Sequence, residues 1–196
     1  MEITRQIVEH MREKGIIREA DYNVYLYGME LLELKVFAAI LALAISFMIQ
    51  TTLFLCALLV FLVPIRKYAG GIHAPSKELC LFFTELILFC AELVWKHLLW
   101  TDAFQYVSML FGVLAVVLVA PVESKKRRLN QIKKTKFRKL SIVIAMINLG
   151  CFITAFFFRW EMIKTAASMA MMIEAWLLFP YILLRAVSKM THSRKE

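Results

Sequence analysis

Apolar residues fall along this chain in two textures. Over residues 3–20, Ile3, Ile7, Val8, Met11, Ile16 and Ile17 recur at near-helical spacing among Arg5, Arg12, Lys14, Arg18 and several glutamates. That pattern predicts an amphipathic helix or helix pair, broken at Gly15, within an N-terminal region of residues 1–28. Two uses fit it: anchoring on the membrane surface, and covering a cytoplasmic site where it would touch substrate. Beyond Lys35 the texture changes to almost unbroken apolar runs. A membrane crossing needs about 20 residues. The pause at Ser46 to Thr52 divides the first stretch into segments 29–48 and 50–64, the second short and either tilted or stopped at Pro64. Further runs cover 79–95, 103–120, 140–158 and 166–184. The expected fold is an all-α integral membrane protein with about six transmembrane helices plus an N-terminal amphipathic surface helix.

Charge orients these runs. A basic loop is expected over residues 121–139, which include Lys125, Lys126, Arg127, Arg128, Lys133, Lys134, Lys136, Arg138 and Lys139, with Glu123 their only acid. Such clusters stay in the cytoplasm. The N-terminal region and the 64–78 segment both carry arginine and lysine, and the C-terminal Arg185, Lys189, Arg194 and Lys195 are basic as well, so an even number of crossings separates them and both termini are cytoplasmic. The hairpin from Lys96 to Asp102 carries few cations and flanking tryptophans, as an outer interface would. Glu85 and Glu92 lie in the third run, where ionisable side chains are costly and face protein or water.

Composition agrees. Of 196 residues, 61% are hydrophobic, against roughly 45–50% in soluble proteins. No soluble insert is long enough for its own core, so a single domain over 1–196 is expected. The net charge of +9 belongs to orientation and to anionic lipid, at roughly 1 kcal/mol per cation near the surface, and not to nucleic acid. Cys56, Cys80, Cys90 and Cys151 lie in or beside apolar runs without CxxC spacing, which predicts no structural disulfide. The charged first 35 residues lack the apolar core of a signal peptide, and no cleavage is expected there.

Chemistry concentrates in Arg66-Lys67-Tyr68-Ala69-Gly70-Gly71-Ile72-His73-Ala74-Pro75-Ser76-Lys77-Glu78-Leu79-Cys80. A nucleophilic cysteine needs a base and surroundings that favour thiolate. On one continuous helix His73 and Cys80 would stand roughly 10 Å apart along the axis, too far for proton transfer. Gly70-Gly71 permits a bend and Pro75 suits a first helical turn. The segment 64–80 is therefore expected to form a loop carrying His73, then a helix starting between Pro75 and Lys77 with Cys80 about one turn inside. The helix N-terminus and Lys77 would favour the thiolate there. A buried structural cysteine and an interfacial histidine are the plainer alternative. Only Glu78 stands near as a third metal donor, which argues against a zinc hydrolase.

The run Arg66-x3-Gly70-Gly71-x-His73-Ala74-x5-Cys80-x3-Thr84 resembles the accessory gene regulator B family, membrane cysteine endopeptidases of bacterial quorum sensing. Tyr27-Gly28-Met29-Glu30 and Ala120-Pro121-Val122-Glu123 agree with it more weakly. The resemblance implies that His73 is the general base and Cys80 the nucleophile, with Arg66, Gly70, Gly71 and Thr84 shaping the site. It also implies a cell-membrane, multi-pass enzyme without cofactor or metal, with its active site at the cytoplasmic face. The expected partner is a short AgrD-like precursor peptide with an acidic C-terminal tail, which Lys125, Lys126, Arg127 and Arg128 would collect by charge. The resemblance further implies removal of that tail, cyclisation of the remainder to a thiolactone or lactone autoinducing peptide, and a homodimer. A non-enzymatic multi-pass transporter or scaffold, with Glu85 and Glu92 lining a path, is the alternative reading.

Overall fold

The computed structural model describes residues 2–71, 76–97, 100–122 and 130–193. Every regular element among them is helical: α1 (Glu2–Glu13), a 3-10 turn (Glu19–Asp21), α2 (Tyr22–Met48), α3 (Thr52–Ala69), α4 (Lys77–Lys96), α5 (Asp102–Val119), α6 (Gln131–Phe157) and α7 (Glu161–Ser193). Among the described residues five helices are long and apolar enough to cross a bilayer: α2 with its preceding turn, α3, α5, α6 and the Glu161–Tyr181 part of α7. The chain is an all-α membrane protein. α4 has the length, but Lys77, Glu78, Glu85, Glu92 and Lys96 interrupt its apolar character.

Each expected run lies in its own helix, and the boundaries differ for local reasons. α3 passes through Pro64 and stops at Gly70, whose positive φ of 82° and N–H bond to the Arg66 carbonyl (3.3 Å) end it. Proline is tolerated in such a helix because neighbouring elements compensate for the donor it lacks. α6 begins at Gln131, capped by the Asn130 side chain at 2.8 Å. Lys133 to Lys139 are thus helical, where a loop over 121–139 was expected. Lysine and arginine are good helix formers, and their charge marks a side of the membrane without breaking the helix. α1 ends where expected: Gly15 adopts φ +68° and Ile16 donates back to the Met11 carbonyl at 3.0 Å, a left-handed terminus.

The described residues form two compact units, Met1–Gln50 with Ala74–Phe89, and Thr51–His73 with Cys90–Glu196. In the first, α1 lies along α2: the Thr4 hydroxyl donates to the Glu33 carboxylate, and Tyr22 Oη reaches Glu9 at 3.4 Å. Val8 and Ile17 are buried.

The second unit is built round α7. Its residues Ala166, Ala167, Ala170, Met171, Ala175 and Leu178 are fully buried, and Ala167, Met171, Ala175 and Leu178 pack in one core with Ile65 and Ala69 of α3, Met109 and Val116 of α5, and Ala145 and Phe152 of α6. Small residues let backbones approach where lipid supplies no hydrophobic drive between helices. At Gly112 of α5 an added Cβ would lie 2.6 Å from both the Cβ and the carbonyl oxygen of Met171. Phe54 at the start of α3 stacks on Trp95 at the end of α4, centroids 4.9 Å apart, so α4 ends on the side where α3 begins.

Polar groups are sequestered inside this unit while large apolar side chains such as Leu53, Val60, Leu118, Ile147 and Phe157 face out. Gln105 Nε2 donates to the Trp100 carbonyl (3.1 Å) and to Thr165 Oγ1 (3.2 Å), and Trp100 Nε1 donates to Ser168 Oγ (3.1 Å). Lys164, nearly fully buried, is held by Asp102 and Glu161, each at 2.8 Å.

Gly112→Ala gains helix propensity yet is expected to destabilise by about 1–3 kcal/mol through overpacking against α7. Thermal unfolding of the detergent-solubilised protein tests this, and a melting temperature at or above wild type would refute it.

Candidate active site

The glycine hinge sits in the second unit, where the end of α3 meets the residues following α5. Gly70 and Gly71 have φ of 82° and 131°, a region that side-chain-bearing residues avoid. Space excludes a side chain as well. A Cβ on Gly70 would come 2.8 Å from the Val122 carbonyl oxygen, and one on Gly71 would overlap Arg66 Nη1 and stand 3.3 Å from the Leu177 carbonyl oxygen.

Three contacts hold the hinge. Arg66 Nη1 donates to the Gly70 carbonyl at 2.7 Å. Val122 N–H donates to the Ala69 carbonyl at 2.9 Å. Tyr68 meets the Phe137 ring edge-on at 5.5 Å. The last turn of α3 therefore touches the chain on both sides of residues 123–129.

Cys80 lies in the first unit, one turn inside α4 and half-buried. The helix starts at Lys77, within the expected 75–77 window, and Ser76 caps it. The Ser76 hydroxyl accepts from Leu79 N–H and its carbonyl from Cys80 N–H, each at 3.2 Å. These bonds occupy two donors at the helix start, so Leu79 and Cys80 N–H are not free to serve as oxyanion donors. Thr84 Oγ1 donates to the Cys80 carbonyl at 2.8 Å, one turn back along α4. Glu85 follows on α4, half-buried. Cys56, Cys90 and Cys151 are free thiols like Cys80. His73, Lys125, Lys126, Arg127 and Arg128 lie outside the described residues.

Glu174 was missed by the sequence reading. It is fully buried in α7, with Oε2 3.9 Å from Arg66 Nη1. The available signal was a lone carboxylate in the apolar run Met171-Met172-Ile173-Glu174-Ala175-Trp176-Leu177.

The class these observations define is that of a helical membrane protein carrying a glycine-only turn and a free thiol one turn inside a capped helix. The family model described as accessory gene regulator B matches residues 3–179. The chain belongs to that family, which takes part in autoinducer processing. It is 22% identical over 130 residues to the accessory gene regulator protein B of Staphylococcus intermedius, covering 64% of this chain and 68% of that protein. No solved structure matches.

Gly70→Ala and Gly71→Ala are each expected to cut autoinducer processing at least 10-fold while the protein still reaches the membrane, with Gly70→Ala the more severe because its Cβ meets the Val122 backbone, which cannot move aside as the Arg66 side chain can. Mature peptide per unit of membrane-inserted protein is the measurement; wild-type yield from Gly70→Ala would refute it.

Proposed function

We propose that the chain is a membrane-embedded cysteine endopeptidase that removes the C-terminal tail of an AgrD-like precursor and promotes cyclisation of what remains. Family membership over residues 3–179 carries the reading. The glycine-only backbone at 70–71 and the capped, half-buried thiol at 80 support it.

His73 takes the Cys80 proton. The thiolate attacks the precursor carbonyl, the C–N bond breaks, and the tail leaves as an amine carrying the His73 proton. An acyl-enzyme thioester is left on Cys80. A cysteine or serine within the precursor then attacks that thioester, closes a thiolactone or lactone ring and returns Cys80 to its starting state. Water must stay out until the ring closes, because it would hydrolyse the same thioester.

In this reading six helices cross, and α4 is the one that needs support from protein. Glu92, 2% exposed, is shielded from lipid by its neighbours. Both termini, His73 and Cys80 then belong to the cytoplasmic side. Val122 bonds Ala69 and Phe137 meets Tyr68, so the described chain on either side of residues 123–129 touches the end of α3. In this reading Lys125 to Arg128 collect the acidic tail, and anionic lipid headgroups are their other partner.

Co-expression with a precursor tests the chemistry. Cys80→Ala and His73→Ala each abolish tail release, while the Cys56→Ser/Cys90→Ser/Cys151→Ser triple variant retains it. In that triple background Cys80 forms the thioester-linked species and is alkylated in intact cells by a permeant reagent only. Processing by Cys80→Ala would overturn the peptidase reading and leave a transporter or scaffold.

Neutralising Lys125 to Arg128 together should raise apparent KM several-fold with little change in kcat, an effect that shrinks with added salt. Equal cleavage at every precursor concentration would refute tail collection.

A further inference from the structure

A carboxylate with no exposed surface, in a helix otherwise apolar around it, needs a reason to be there. Glu174 is 0% exposed, and among the described residues neither of its oxygens receives a hydrogen bond. Its described partner is the Arg66 guanidinium, at 3.9 Å, beyond hydrogen-bond range. The attraction is a through-space pairing of charges, strong at low dielectric and undemanding of exact geometry. Geometry is imposed at the other end of the same guanidinium. Nη1 donates to the Gly70 carbonyl at 2.7 Å and fills the space where a Gly71 side chain would be. Leu177, three residues after Glu174 on α7, closes the other side of Gly71 with its carbonyl oxygen.

We propose that Glu174 is a positioning residue for the hinge: its buried carboxylate draws the Arg66 guanidinium against α7, so that Arg66 clamps the Gly70 carbonyl and walls Gly71, fixing the direction in which the chain departs toward His73. This rests on His73 being the base. A carboxylate suits the task because a cation on a flexible stem has many rotamers within reach of Gly70, and a buried countercharge selects among them. Glu174 itself touches no reacting atom.

Three variants separate this from a purely structural charge balance: Glu174→Gln, Glu174→Asp, and the double neutral variant Arg66→Gln/Glu174→Gln, made in the triple-serine background so that Cys80 is the one thiol. Glu174→Gln should lower kcat for tail release at least 10-fold with KM nearly unchanged, slow alkylation of Cys80 at neutral pH, and speed amide hydrogen exchange in a peptide spanning Gly70 and Gly71. Glu174→Asp should recover most of the rate. The double variant leaves no buried charge unpaired, so it should match wild type in monodispersity and melting yet stay as slow as Glu174→Gln. Recovery of wild-type rate by the double variant, or unchanged hinge exchange in Glu174→Gln, would overturn the proposal. Should wild type release no tail, the peptidase reading fails, and the exchange measurement still decides whether Glu174 holds the hinge.

Discussion

Lipid tails neither donate nor accept a hydrogen bond, and that one property of the surroundings sorts the side chains of this protein. In water, outward-facing Leu53, Val60, Leu118, Ile147 and Phe157 would be an aggregation liability; against acyl chains they cost nothing. The polar groups are the ones that need shelter. Gln105, Asn148, Lys164, Thr165, Ser168 and Glu174 are accordingly inside, and most are tied to one another or to backbone. α7 carries four of these six and is the helix around which its unit closes.

Small residues make that closure possible. Alanines along α7 and Gly112 on α5 bring backbones close, so contact between chains replaces the hydrophobic drive that lipid cannot supply. A second consequence is that α7 reaches the end of α3 with its carbonyl at Leu177 and its carboxylate at Glu174. The packing that stabilises the bundle also delivers the groups that bound the glycine turn, and the scaffold and the proposed site are not separable parts.

The turn itself is constrained from several directions at once. Its backbone angles exclude other residues, Val122 and Arg66 occupy the flanking space, and backbone bonds tie it to the residue after Pro121. Ser76 makes a comparably local arrangement at the start of α4, where its two bonds set the register that puts Cys80 one turn in. A serine cap and a glycine terminus are cheap devices, each a single residue, and they fix where α4 begins and where α3 ends.

Much of this was legible along the chain. Apolar runs placed the helices, since burial in lipid demands uninterrupted stretches whatever their neighbours. Gly15 and the 75–77 helix start were readable because turns and caps are decided within a few residues. Pro64 misled, because its local rule, a helix ending near proline, yielded to a bundle that compensates for the lost donor. The lysines of early α6 misled in the opposite way, since charge reports a side of the membrane and says little about backbone. Glu174 and its partner Arg66, the pressure of Val122 on Gly70, and the approach of Met171 to Gly112 belong to tertiary structure alone. Periodicity tells which face of a helix is apolar, while the rotation and crossing of one helix against another decide which distant residues meet there.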